Sequence, residues 1–185
     1  GSFSYIFFNM FAVYMFGGIL ERVWGPKKFL IFYLVSGLGA AIVQQLFWYF
    51  EFHTVVSAFN SAISSGSVDS LRAYFSGDIS GMTVLDVIKQ KDLLLNMPVT
   101  IGASGSVFGL LLAFGWLFPE ERLFLMFIPV PIKARWFVLG YGVAELFLGV
   151  AQFSGDSVAH FAHLGGMLFG ALLVYYWKKK GRLYS

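Results

Sequence analysis

Two residue types that together can carry out covalent chemistry lie in apolar parts of this sequence. Ser104, in the segment Gly-Ala-Ser-Gly at 102–105, stands just ahead of an apolar run, and His163 lies inside another. A serine hydroxyl is a weak nucleophile until a nearby base takes its proton, and imidazole is the side chain that most often serves as that base. The two residues therefore predict a nucleophile and a general base in apolar surroundings.

The composition indicates that these surroundings are lipid. Hydrophobic residues make up 58% of the chain and charged residues 12%, with a mean hydropathy of +0.73, whereas a soluble domain usually carries about 25% charged residues. The 185 residues suit a single domain. The sequence has no cysteine, which excludes a disulfide framework and a thiol nucleophile. The basic residues form no stripe on one exposed face, so no nucleic-acid partner is expected.

Five apolar windows are long enough to cross a hydrocarbon core of about 30 Å. They predict helices near 5–20, 29–50, 99–118, 136–153 and 158–177. The expected fold class is an all-α membrane protein, a polytopic helical bundle that has five transmembrane helices and occupies 1–185 as one domain.

The positions of lysine and arginine predict the orientation of this bundle, because short cytoplasmic loops carry these residues in excess. Ten of the thirteen fall on one side: Arg22, Lys27, Lys28, Arg122, Lys133, Arg135, Lys178, Lys179, Lys180 and Arg182. That side, with the C-terminus, is predicted to be cytoplasmic. The outer side then carries a loop insertion at about 51–98. It contains an amphipathic helix that Pro98 ends and that has on one face Val84, Val87, Ile88, Leu94 and Leu95. This helix is interpreted either as a layer on the bilayer surface or as a lid that contacts substrate.

The predicted directions of the helices bring Ser104 and His163 to the same depth. Both lie about five residues into helices that run inward from the outer side, and therefore roughly 7 to 8 Å below the outer boundary. Small residues four apart let helices approach closely, and two such motifs follow the pair, Gly105 with Gly109 and Gly166 with Gly170. We therefore expect the hydroxyl and the imidazole to meet.

Each polar residue also has a simpler interpretation when it is taken alone. A serine in a transmembrane helix often bonds only a backbone carbonyl, and a histidine there can serve in packing or proton relay. Glu145, in the middle of the fourth helix, is interpreted as a hydrogen-bonded packing residue or as part of a substrate gate. His160 is expected on a neighbouring face of the last helix, nearer the interface. No carboxylate or cysteine cluster accompanies the two histidines, so neither a metal nor a cofactor is predicted.

Three motifs, taken together, resemble those of the rhomboid intramembrane serine proteases. They are Gly-Ala-Ser-Gly at 102–105, Ala-His-x-x-Gly-x-x-x-Gly at 162–170, and Asn9 followed by Gly17-Gly18 and Glu21-Arg22-x-Trp24-Gly25. The rhomboid core has six transmembrane helices, so the five helices here resemble the second to the sixth. The resemblance implies that the first rhomboid helix is missing from the N-terminus of this sequence.

The resemblance also implies a catalytic dyad, in which Ser104 attacks a scissile carbonyl and His163 serves as general base and then general acid. The dyad lacks the acidic third member of soluble serine proteases. Phe108 occupies the position of the tyrosine that usually stacks on the histidine in the family, so the imidazole is expected to be oriented by packing. Asp156, in the outer loop, is the one acidic residue close in sequence to His163.

Donors for the developing oxyanion are implied at four positions of this sequence. Asn9 matches the oxyanion asparagine of the family, and the backbone N–H groups of Ala103 and Ser104 lie where the motif supplies others. Tyr5 replaces a histidine of the family, so the fourth donor is a phenol O–H with a different reach. One lost donor costs about 10² to 10³ in rate.

The leading hypothesis is an intramembrane serine endopeptidase that cleaves transmembrane protein substrates near the outer leaflet. Its partners are the substrate and the lipid bilayer, and its expected location is a bacterial plasma membrane. The sequence assigns no oligomeric state. One alternative is a catalytically weak or inactive rhomboid-fold binder of membrane protein clients. A small transporter would need charged or discontinuous helices at mid-depth, for which Glu145 is the only candidate.

Overall fold

The computed structural model describes residues 3–75, 77–96, 103–125, 128–151 and 157–184, without the side chains of residues 4, 5, 51, 125, 128–130, 151 and 157–159. The chain forms two compact units. The first unit comprises Gly1–Gln45 and Ile101–Ser185, and the second unit comprises Leu46–Thr100.

Helices make up most of both units, as the sequence predicts. The α-helices of the described residues are α1 Phe3–Ala12, α2 Gly18–Trp24, α3 Pro26–Ser65, α4 Val84–Leu95, α5 Ser104–Leu117, α6 Ala134–Ala151 and α7 Ser157–Lys179. A π-helical turn at Val13–Gly17 joins α1 to α2, and a 3₁₀ turn at Asp69–Leu71 lies ahead of α4.

Two helical segments within the described ranges are long and apolar enough to cross a membrane, Ile6–Trp24 and Pro26–Phe50. They correspond to the first two of the five spans expected from the sequence. Helix α5 is apolar but has only 14 residues. The third, fourth and fifth spans therefore stay predictions.

Helix α3 continues to Ser65, so the predicted end near residue 50 was wrong. Hydropathy falls after Phe50, but no glycine or proline occurs from 51 to 65, and the helical backbone needs no apolar side chains to continue. The helix ends where Gly66 adopts a φ of 69° and its N–H donates to the carbonyl of Ala62 at 3.0 Å. A left-handed glycine of this kind is a common helix C-cap.

A two-stranded antiparallel hairpin, which the sequence did not predict, joins α5 to α6. Strand β1 is Arg122–Leu125 and strand β2 is Ile128–Lys133, with Arg122 opposite Lys133. Prolines at 119, 129 and 131 exclude a helix here, because each lacks an N–H and clashes with the preceding turn. Glu120 accepts a hydrogen bond from Lys133 at 2.6 Å and pairs with Arg135 at 2.6 Å.

Glycines let α5 and α7 pack backbone against backbone. A Cβ atom on Gly109 would lie 3.1 Å from the carbonyl oxygen of Gly166, and one on Gly170 would lie 3.2 Å from the Cα of Gly109. A Cβ on Gly105 would lie 3.6 Å from the carbonyl oxygen of Ala162. Residue numbers rise together along this contact, so α5 and α7 run parallel.

Helix α6 packs against α7 in the opposite direction. A Cβ on Gly142 would lie 3.3 Å from the terminal methyl of Met167, whereas one on Gly149 would lie 3.1 Å from the ring of Phe161. Residue numbers along α7 therefore fall as those along α6 rise, so the two helices are antiparallel. This register sets which α6 side chains face the first turns of α7.

The aromatic residues Trp24, Phe32 and Trp177 are buried together at the other end of α7. The Trp24 ring lies 4.9 Å from Phe32 and 5.2 Å from Trp177, between ring centroids. Gly25, with a φ of 77°, and Pro26 separate α2 from α3, so that Trp24 and Phe32 lie on successive helices. This cluster holds the ends of α2, α3 and α7 together.

The second unit has a hydrophobic core of its own, with Phe59, Leu71 and Val87 buried in it. The prediction of a helix ahead of Pro98 is confirmed by α4. Thr83 and Asp86 form a capping box at its start, since each side chain accepts a hydrogen bond from the backbone N–H of the other residue. The side chain and then the backbone N–H of Thr83 lower the pKa of Asp86 below its ordinary value.

We expect Gly166→Ala to weaken the contact between α5 and α7. The added methyl group would overlap the backbone carbonyl of Gly105, and overpacking of this kind costs about 1 to 3 kcal/mol. The control is Gly140→Ala, because Gly140 lies on α6 with open space around its Cα. Denaturant titration in detergent should show lower stability for Gly166→Ala alone, and equal stability of the two variants would contradict the packing described here.

The capping box predicts a pH dependence for helix α4. Because the pKa of Asp86 is lowered on folding, its stabilising effect is complete above the ordinary aspartate pKa of about 3.9 and declines as the pH falls through the lower pKa of the folded state. Hydrogen exchange, corrected for intrinsic rates, should show α4 losing protection in this range. Asp86→Asn should reduce the dependence. Asp92→Asn, exposed in the last turn, should leave it intact.

Candidate functional site

Ser104 is the first residue of α5 and is buried, with 8% of its surface exposed. Ala103 precedes it with φ −56° and ψ −13°, and the carbonyl of Ala103 already accepts from the N–H of Val107 at 3.0 Å. The N–H groups in the first turn of a helix lack acceptors within the helix and carry partial positive charge. Ser104 is therefore positioned where backbone donors and a positive helix end coincide.

His163 lies over the ring of Phe108, which is one turn after Ser104 on α5. The two rings are stacked, with centroids 4.0 Å apart and planes inclined by 8°. Tyr141 of α6 packs on the same Phe108 ring, at 5.2 Å between centroids. Ser104 and Phe108 share a helix face, so the stacking places the imidazole beside the face that carries Ser104.

Glu145 of α6 binds two histidines of α7 through one carboxylate oxygen. Its Oε2 lies 3.0 Å from Nδ1 of His163 and 2.6 Å from Nδ1 of His160. All three side chains are at least four-fifths buried, and that of Glu145 is 10% exposed. A carboxylate in such surroundings is stabilised only by donors, and the two imidazole N–H groups supply them.

This arrangement corrects two expectations drawn from the sequence. His163 has an acidic neighbour, although packing was expected to orient it. A carboxylate also accompanies the His-x-x-His pair, although none was expected, and His160 binds the same carboxylate oxygen as His163. Asp156, the acid close in sequence, lies outside the described residues. The signal that was available is Glu145 itself, because an ionisable residue inside an apolar helix requires a polar partner.

Glu145, His160 and His163 are also the residues that could hold a metal ion, since their ligand atoms lie within 4.8 Å of one another. Two ligand atoms about 2.0 to 2.2 Å from a tetrahedral zinc ion are roughly 3.3 Å apart. The oxygen of Glu145 is 2.6 Å from His160 and 3.0 Å from His163. These distances fit hydrogen bonds better than ligation of one shared ion.

Asn9 is buried in α1, most of whose neighbouring side chains are exposed. Helix α1 contacts α5, and Phe16, just beyond α1, packs edge to face on Phe114 of α5 at 5.0 Å. Asn9 precedes Phe16 by about two turns and Ser104 precedes Phe114 by nearly three. The backbone of Tyr5 lies in α1, but its side chain is outside the described residues.

The first unit therefore joins helices of membrane-protein composition around a buried serine, a histidine stacked on a phenylalanine, and a carboxylate. The family model of the rhomboid domain matches residues 1–180 of the chain. The chain belongs to the rhomboid family. It is accordingly an integral membrane protein of a family that includes intramembrane proteases.

Proteins of similar sequence have names that indicate the same family. The chain is 30% identical over 148 residues to "Rhomboid protein 1, mitochondrial" of Saccharomyces cerevisiae, covering 78% of this chain and 42% of that protein. It is 28% identical over 171 residues to "RHOMBOID-like protein 12, mitochondrial" of Arabidopsis thaliana, covering 91% and 41%. It is 28% identical over 95 residues to "Rhomboid protease AarA" of Providencia stuartii, covering 51% and 32%. The chain thus spans less than half of each relative, and no solved structure gave a significant match.

Replacing the Phe108 ring should change the environment of the His163 imidazole. We expect Phe108→Leu to remove the ring-current shielding of the His163 ring protons and to loosen the imidazole, whereas Phe108→Tyr should keep both. Proton NMR of histidine-labelled protein in detergent measures the shift. Phe124→Leu is the control, because Phe124 is 74% exposed in β1. Unchanged His163 signals in Phe108→Leu would mean that the two rings do not stack in solution.

Proposed function

We propose that the chain is an intramembrane serine endopeptidase that cleaves transmembrane protein substrates near the outer leaflet. The observation that carries this proposal is the stacking of His163 on Phe108, one turn from Ser104, across the glycine contact of α5 and α7. The rhomboid family and a relative named as a rhomboid protease support the same reaction class.

In the proposed reaction, Ser104 Oγ attacks the scissile carbonyl carbon while His163 takes the hydroxyl proton. His163 then returns that proton to the leaving amine, which departs as an acyl-enzyme ester forms. In the second half, His163 takes a proton from water, and the hydroxide attacks the ester carbonyl. The bond to the Ser104 oxygen breaks, His163 returns its proton to that oxygen, and the acyl product leaves as a carboxylic acid. The reaction needs no metal or cofactor.

The proposed oxyanion donors are the side chain of Asn9 and the backbone N–H groups of Ala103 and Ser104. The burial of Asn9 and the contact between α1 and α5 support a role for its amide near the start of α5. The backbone donors suit an oxyanion because they are fixed before the reaction. Tyr5 is the weaker candidate, since its side chain is a phenol where the family has an imidazole.

We also propose that the protein has five membrane spans. Helices α1 and α2 together form the first span, and α3, α5, α6 and α7 form one span each. The ten basic residues on one side support a cytoplasmic C-terminus, and the segment at about 51–98 would then lie on the outer side. The sequence favoured a bacterial plasma membrane. The Providencia relative is bacterial, whereas the names of the relatives from yeast and Arabidopsis place them in mitochondria.

We expect Ser104→Ala to abolish cleavage of model transmembrane substrates by the purified chain in detergent or liposomes. Removing the nucleophile of a serine protease lowers the rate by at least about 10³-fold. Gel analysis of substrate and product measures the loss. Substrate that binds but is never cut by the unaltered chain would favour the alternative, a rhomboid-fold binder of membrane clients.

The matched control is Ser106→Ala on the same helix. Ser106 is buried, and its hydroxyl donates to the backbone carbonyl of Tyr33 at 2.8 Å, so its loss should cost about 1 kcal/mol of stability and leave cleavage intact. A fluorophosphonate probe should label the unaltered chain and Ser106→Ala, and should not label Ser104→Ala. Cleavage that persists in Ser104→Ala would contradict the proposed function.

A further inference from the structure

Glu145 has no part in the dyad that the sequence implies, yet within the described residues its carboxylate binds the proposed base. It lies on α6, is almost buried, and its Oε2 accepts from both His160 and His163. Burying a charge in this way is expensive unless every donor is aligned. A residue that serves packing alone could be apolar at no such cost, so the position calls for a reason beyond packing.

The two hydrogen bonds determine the tautomer of His163. An ionised carboxylate can only accept, so Nδ1 of each imidazole must carry the proton that it donates. Neutral His163 then has no proton on Nε2, and that nitrogen keeps its lone pair. This is the tautomer that a general base requires.

Glu145 and Phe108 restrain different motions of the same ring. The stacked Phe108 ring, inclined by 8°, fixes the plane of the imidazole. The bond of 3.0 Å from Nδ1 to Glu145 fixes rotation within that plane. The shorter bond of 2.6 Å from His160 holds the carboxylate in turn. The series of hydrogen bonds thus runs from His160 through Glu145 to His163.

We propose that Glu145 is the positioning residue of the active site, so that Ser104, His163 and Glu145 act as a triad, with His160 holding the carboxylate. The proposal rests on the proposed function. Glu145 touches no substrate; it holds His163 with Nε2 unprotonated and stabilises the imidazolium that forms when Ser104 loses its proton. The titratable groups around Glu145 in the described structure are His160 and His163 of α7, with Tyr141 one turn earlier on α6.

The first test replaces Glu145 in the full chain, assayed in liposomes with a model transmembrane substrate. Glu145→Met keeps a similar volume and removes the acceptor, and Glu145→Gln keeps an acceptor without the charge. We expect kcat to fall by roughly 10² to 10⁴ in Glu145→Met, with a smaller fall in Glu145→Gln and KM within about twofold in both. Glu121→Gln, at an exposed position, should retain kcat.

The second test reads the tautomer directly and does not require activity. Nitrogen-15 NMR of histidine-labelled protein should show Nδ1-protonated His163 in the unaltered chain and in Glu121→Gln. Glu145→Met should populate the Nε2-protonated tautomer. Thermal unfolding in detergent identifies any variant that fails to fold. If Glu145→Met does not fold, kcat of Glu145→Gln is compared with that of the unaltered chain instead.

The outcomes separate the failure of the triad from the failure of the protease. A folded Glu145→Met that keeps kcat within about twofold, or that keeps the His163 tautomer, overturns the role of Glu145. Loss of cleavage by the unaltered chain on treatment with a chelator would overturn it too, in favour of a metal centre at the same three side chains. No labelling of Ser104 by a fluorophosphonate would count against the protease, while the NMR comparison would still decide whether Glu145 sets the tautomer.

Discussion

The backbone contact between α5 and α7 is the constraint on which the rest of the site depends. At Gly105 and Gly166 the helices approach so closely that one methyl group would overlap a main-chain carbonyl. In lipid there is little hydrophobic force between helices, so association relies on such close packing and on polar contacts. The glycines therefore bring the two helices together beside Ser104 and His163, and the stacking of His163 on Phe108 lies along the same contact.

The polar groups of the site are stabilised only as a set. A carboxylate and two imidazoles would each be costly alone in an apolar bundle. Glu145 offers an acceptor where His160 and His163 offer donors, and the Phe108 ring covers the face of His163. The cost of each group is thereby offset by its neighbours, and the same contacts that stabilise the imidazole also hold it in one orientation.

Much of this could be predicted from sequence because membranes restrict the possibilities. Apolar windows located the helices, and the resemblance to the rhomboid proteases implied that Phe108 would stack on His163. The end of α3 could not be predicted from hydropathy, because the mixed polar and apolar residues after Phe50 contain nothing that breaks a helix before Gly66. The β-hairpin after α5 was missed because the window that predicts helices does not test for paired short strands.

The pairing of Glu145 with His160 and His163 was missed for a different reason, which concerns the register between helices. The number of residues between Glu145 and His163 does not predict a contact unless the register of α6 against α7 is known. Packing at Gly142 and Gly149 sets this register. Because an unpaired carboxylate is costly inside an apolar helix, the bonds from His160 and His163 add to the stability of this register. The residue that orients the proposed base thus also helps to align the helix that carries it.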